Sequence, residues 1–125
     1  TTVTGMIPNT EIPNVLAALD VVVFPDVTRP GAFPTAIAEA MAAGKALVVG
    51  VGSSTRFMPL QNGTDSLLVE PSSAPAIINA LRTLATAPML VTRLSHTLAE
   101  KSRTTMDYPV VAAKWLRIID AALTS

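Results

Sequence analysis

The run Val21-Val22-Val23-Phe24, stopped by Pro25, constrains this chain more than any other stretch. Consecutive apolar residues of strand length suit a strand covered on both faces, as in a parallel sheet; a strand with one wet face would alternate. Ala46-Leu47-Val48-Val49 repeats the pattern, and Ser66-Leu67-Leu68-Val69 makes a third short strand after an Asn62-Gly63 turn. Between the first two runs, Pro34 opens a helix through Ala43, with Pro at the first position and Gly44 just past the end. Thr2-Val3-Thr4, closed by Gly5, reads as the end of a further strand. Glu11 to Leu19 reads as a helix capped by Asn9 or Thr10, with Pro13 tolerated in its first turn. Strands and helices alternating over short connections are the doubly wound α/β pattern.

From Ser72 onward the sequence turns helical. Ile77, Ile78, Leu81 and Leu84 recur at helical spacing, as do Leu90, Leu94 and Leu98. Tyr108, Val111, Trp115 and Ile119 line one face of a last helix, and Trp115 is expected in the core. A short helix is also expected over Arg56 to Leu60. The expected architecture is a Rossmann-like parallel sheet flanked by helices, with a helical C-terminal tail. The 125 residues amount to one domain, and their apolar content is Ala, Val, Leu and Ile with few aromatics, which suits helices packed on a parallel sheet.

Composition removes several functions. Formal net charge is zero and the basic residues are scattered singly, so no nucleic-acid footprint is present. There is no cysteine for a disulfide or a thiolate metal site, and His96 stands alone, which gives it a structural or solvated role on a surface helix. The most apolar stretch, Ala36 to Val51, is broken by Glu39, Gly44 and Lys45, so no membrane span is expected. No signal peptide is visible, and a cytoplasmic location is the expectation. The chain begins at Thr1 without Met, which reads as a fragment or a processed product.

In open parallel sheets, ligands bind beyond the carboxyl ends of the strands. Two loops of small residues fall there: Pro25 to Pro34 and Gly50 to Thr55. The helix N-terminus at Pro34-Thr35-Ala36 adds free N–H groups and a positive dipole end, which suit a phosphate. Glu39 lies within that helix among Ala36, Ile37, Ala38, Ala40, Met41 and Ala42. One reading makes it a solvated carboxylate on the exposed stripe. The other makes it an acceptor for paired hydroxyls such as a ribose presents, and the sequence alone leaves both open.

The stretch Gly31 to Lys45, with its core Glu39-Ala40-Met41-Ala42-Ala43-Gly44-Lys45, resembles the donor-site motif of family 4 retaining glycosyltransferases. Gly5, Glu11, the Leu16-to-Asp20 segment and Pro25 resemble that family's lead-in. Asn62-Gly63 and Leu67 to Pro71 resemble its turn and following strand, and Tyr108 resembles the start of its last helix. The resemblance covers nearly the whole chain and implies the C-terminal, donor-binding domain of a GT-B fold. It implies that Glu39 binds the ribose of a nucleotide-sugar such as a UDP- or GDP-sugar. Phe33, Pro34 and Thr35 would then face the diphosphate, and Met6 and Ile7 would lie near the base. No cofactor or metal is implied, and the acceptor site belongs to a missing N-terminal domain, against which Trp115 could pack instead of in the core.

The departures are specific. Gly31 stands eight residues before Glu39, where the family has a second Glu that contacts the donor sugar. Ser54, Thr55, Phe57 and Met58 replace its glycine pair and Pro-Glu; Ser54 and Thr55 could still meet phosphate. Ser66 replaces a usual Gly, and Ala46 a usual Pro. The family's basic pair would precede Gly5, where this chain has no Arg or Lys; Arg29 is the first basic residue, read either as a phosphate clamp or as a solvated loop side chain. Loss of the earlier strand and helix would expose a sheet edge to self-association. The expected function is the donor-binding part of a glycosyltransferase acting on a glycan, lipid or small acceptor, of hexosyltransferase type as a whole protein and inactive as a fragment. The alternative is a degenerate, non-catalytic scaffold. A phosphate-binding domain of the response-regulator sort would need more clustered acid than Asp20 and Asp26 supply.

Overall fold

The three apolar runs become three parallel strands, β1 (Val21–Phe24), β2 (Ala46–Gly50) and β3 (Leu67–Val69), hydrogen-bonded in that order. A computed structural model describes residues 1–25, 35–52 and 60–124. Every residue of β2 is buried, while β1 and β3 are half-buried, so the central strand is the one that needs unbroken apolar sequence. In register, Val22 meets Leu47 and Val49 meets Leu68. Among the described residues β1 pairs with β2 alone, which leaves its outer edge open.

The helices are α1 (Ile12–Ala17), entered through a 3-10 turn at Asn9–Glu11, then α2 (Thr35–Ala42), α3 (Ala74–Thr86), α4 (Pro88–Thr105) and α5 (Tyr108–Thr124). Strand alternation divides the core in two. Leu47 and Val49 join Ile37, Ala40 and Met41 of α2 on one face; Ala46 and Val48 join Ala80 and Leu84 of α3 on the other. Helix α3 starts where the Ser73 hydroxyl accepts the Ala76 N–H at 3.4 Å.

Helix α4 serves both cores, with Leu94 in the α3 cluster and Leu98 in the α2 cluster. It does so by crossing beneath the amino ends of the strands. Ser95 and Ala99 approach Gly44, just before β2, and Arg93 donates to the Gly63 carbonyl, just before β3, at 3.0 Å. Lys101 pairs there with Asp65, whose carboxylate is fully buried. Asp65 Oδ1 also accepts the Gln61 N–H at 2.8 Å and the Ser66 hydroxyl at 3.0 Å, so the turn before β3 is organised around this carboxylate.

At the opposite, carboxyl edge the backbone is tightly drawn together. The Ser72 N–H donates to the Pro25 carbonyl at 2.9 Å, with Ser72 at φ +59°, and Gly50 lies beside them. A Cβ on Gly50 would sit 2.7 Å from the Pro25 oxygen and 3.2 Å from Pro71 Cα, both rigid backbone. Gly50→Ala is therefore expected to cost about 1–3 kcal/mol through overpacking, seen as a lower melting temperature.

Several expectations change. Thr2-Val3-Thr4 forms no strand, and Val3 is exposed. Neither Asn9 nor Thr10 caps α1: both sit inside or open the 3-10 turn, and no side chain caps either segment. Trp115 is not core but 60% exposed, because α5 has no buried residue; among the described residues it packs against α4. Of the α3 stripe, Ile78 and Leu81 are exposed and Ala80 takes the core position with Leu84. The helix expected over Arg56 to Leu60 falls mainly outside the described residues; Leu60 itself is half-buried and not helical. No single described helix is long and apolar enough to cross a membrane.

Candidate functional site

Glu39 is placed by what its helix must bury. Ile37, Ala40 and Met41 form the core stripe of α2, which turns Glu39 to the exposed side. Among the described residues no ion pair engages its carboxylate. It stands instead at a cleft of about 600 Å³ between α1 and α2. Two helical stripes make the walls. Asn9, Ile12, Pro13, Leu16 and Ala17 recur three and four apart along the 3-10 turn and α1, and Glu39, Ala42 and Ala43 do the same on α2, with Lys45 beyond. The walls are mostly apolar and carry three polar side chains, Asn9, Glu39 and Lys45. Mostly apolar walls with a few polar side chains are the usual make-up of a small-molecule cleft.

Helix α2 ends in a Schellman motif. Gly44, at φ +64°, donates its N–H to the Met41 carbonyl at 3.0 Å, and the Lys45 N–H reaches the Ala40 carbonyl at 3.0 Å. Lys45 Nζ then donates to the Ala17 carbonyl at 3.3 Å, at the C-terminal end of α1. At the other end of α2, Thr35 is its first described residue and is exposed. One turn of helix, about 6 Å along the axis, separates it from Glu39.

The structure thus brings Glu39 and the α2 N-terminus onto one element. Met6 is 99% exposed and Ile7 half-buried; they precede the 3-10 turn, but the cleft wall begins at Asn9. Arg29, Gly31, Phe33, Pro34, Ser54 and Thr55 lie outside the described residues. Asn9 and Lys45 join the site only in the structure; the three-and-four spacing of the α1 wall is the signal the sequence carries for it. A second cavity, of about 620 Å³, lies between Asp20 and residues such as Leu84, Pro88 and Val91, none of them a residue the sequence marks for ligand binding. His96 is exposed on α4, and among the described residues no group of three His, Cys, Asp or Glu could hold a metal ion.

Residues 1–87 match the family model described as glycosyl transferases group 1. The chain belongs to that family. No curated protein matches its sequence. Solved structures of similar fold include Anabaena HepE in complex with UDP, at 19% identity and TM-score 0.81, covering 90% of this chain and 30% of HepE. Sucrose-phosphate synthase from Thermosynechococcus elongatus aligns at 22% identity and TM-score 0.83, covering 98% of this chain and 30% of the synthase. The C-terminal domain of LpcC, a group 1 glycosyl transferase of Francisella tularensis, aligns at 23% identity and TM-score 0.75, covering 85% of this chain and 53% of that one. This group 1 chain therefore has the fold of a GT-B C-terminal domain and spans about a third to a half of the length of these structures.

Proposed function

We propose that this chain is the donor-binding part of a family-4-like retaining glycosyltransferase, and that the α1–α2 cleft takes the nucleoside of a nucleotide-sugar. The observation that carries this is Glu39: a carboxylate at the rim of an apolar-walled cleft, one helical turn from the N-terminus of α2. Two ribose hydroxyls would donate to Glu39, and the diphosphate would lie toward Thr35, where free N–H groups and the dipole favour negative charge. The same groups would stabilise the departing nucleoside diphosphate, so electrostatic preorganisation supplies the chemistry on this side. HepE has been captured with UDP and with UDP-glucose, which supports a UDP-sugar and hexosyl transfer here.

The rest of the proposal concerns the whole protein. An N-terminal, acceptor-binding domain would complete the enzyme, in the cytoplasm, and the isolated chain would be inactive. Helix α5 supports this: Trp115, Leu116, Ile119 and Leu123 share one side of it and are 49–80% exposed. In the isolated chain the open edge of β1 is where copies would associate. Gly31, in place of the family's sugar-contacting Glu, favours the second reading, a non-catalytic scaffold.

Calorimetric titration of the full-length protein with UDP, GDP and ADP tests the first reading. Glu39→Ala should weaken the one nucleotide that binds by about tenfold or more, the worth of lost ribose hydrogen bonds. Silence toward all three would replace the enzyme with the scaffold.

A further inference from the structure

The α1 wall of the cleft is a light element. Helix α1 is six residues long, has no fully buried residue and packs into the core through Leu16. At its C-terminal end the Ala17 carbonyl accepts the Lys45 ammonium at 3.3 Å. A cation at a helix C-terminus is favoured by the local dipole as well as by the hydrogen bond. Lys45 is itself aimed by the Schellman motif, since its N–H and that of Gly44 are both tied back to α2. One side chain therefore joins the end of one wall to the end of the other, and it lines the cleft that those walls enclose.

We infer that Lys45 is a positioning residue for the donor nucleotide: by holding the Ala17 carbonyl, it sets the spacing of α1 from α2 and so the fit of the nucleoside beside Glu39. The inference rests on the reading of this cleft as the donor site. A preformed cleft binds more tightly than one that must be closed by its ligand, because the ordering cost is met during folding. The effect falls on the nucleoside, not on the diphosphate, and on affinity, not on the rate of transfer. Lys45 lies beyond Glu39 from the α2 N-terminus, on the side away from the proposed phosphates.

The test compares Lys45→Met, Lys45→Arg and Glu39→Ala in the full-length protein, titrated with UDP, GDP and ADP and with the parent nucleosides uridine, guanosine and adenosine. Lys45→Met should weaken the bound diphosphate and its nucleoside by the same factor, about tenfold, with KM rising and kcat unchanged. Lys45→Arg, which still donates, should stay within about threefold of wild type. Melting curves confirm that each variant is folded. If Glu39→Ala weakens binding but Lys45→Met does not, the inference falls and the donor-site reading stands. A loss confined to the diphosphate would mean that Lys45 touches phosphate, which also overturns it, as would failure of arginine to rescue. If Glu39→Ala has no effect, or nothing binds, both readings fall together.

Discussion

Lys101→Met should destabilise the chain by about 3 kcal/mol, lowering its melting temperature by roughly 10 °C. The partner explains the size. Asp65 is fully buried, and the only full positive charge paired with it among the described residues is Lys101, whose side chain is 20% exposed. Methionine would fill a similar volume but leave a carboxylate with two neutral donors, the Gln61 N–H and the Ser66 hydroxyl. Removing one member of a buried pair costs about 3–5 kcal/mol, and the partial exposure of Lys101 places this case at the lower end. Adding Asp65→Asn to Lys101→Met should recover part of the loss, because the amide oxygen can still accept the Gln61 N–H while the unpaired charge is gone. Thermal unfolding of the two variants checks both statements.

Leu98→Ala should cost about 3 kcal/mol as well, within the usual 2–5 kcal/mol for a buried leucine. Leu98 is fully buried among Ile37, Ala40, Met41, Leu47 and Val49. Its cavity would open between α4, α2 and the central strand, three elements that cannot close the gap without moving one another. Chemical denaturation should show a lower midpoint with an unchanged slope. Nucleotide affinity of Lys101→Met, measured where the variant remains folded, should stay within about threefold of wild type, since neither Lys101 nor Asp65 lines the α1–α2 cleft.

The sheet was legible because its central strand must be apolar on both faces, as the run at Ala46–Val49 is, and the run at Val21–Phe24 repeats the pattern although β1 is only half-buried. Helix α2 was legible for a similar reason, since Gly44 supplies the left-handed residue that a Schellman ending needs. Trp115 misled because a stripe at helical spacing says that a face is apolar, not that this chain covers it. The crossing of α4 could not be read at all. Its Leu90-Leu94-Leu98 spacing gives one stripe, whereas the fold sends Leu94 and Leu98 to opposite faces of the sheet. For the site, Glu39 was found through its apolar company and its motif. The α1 wall is not legible in sequence because Asn9, Ile12 and Leu16 look like an ordinary amphipathic helix until α2 is placed opposite them. The Asp65–Lys101 pair joins residues 36 apart in sequence, beyond any local pattern.

The most direct measurement is a crystal structure of the full-length protein with the nucleoside diphosphate that calorimetry selects. The account predicts the base in the α1–α2 cleft, both ribose hydroxyls roughly 2.5–3.0 Å from the Glu39 carboxylate, and the phosphates at the N-terminus of α2. A nucleotide bound elsewhere, with Glu39 turned to solvent, would contradict it.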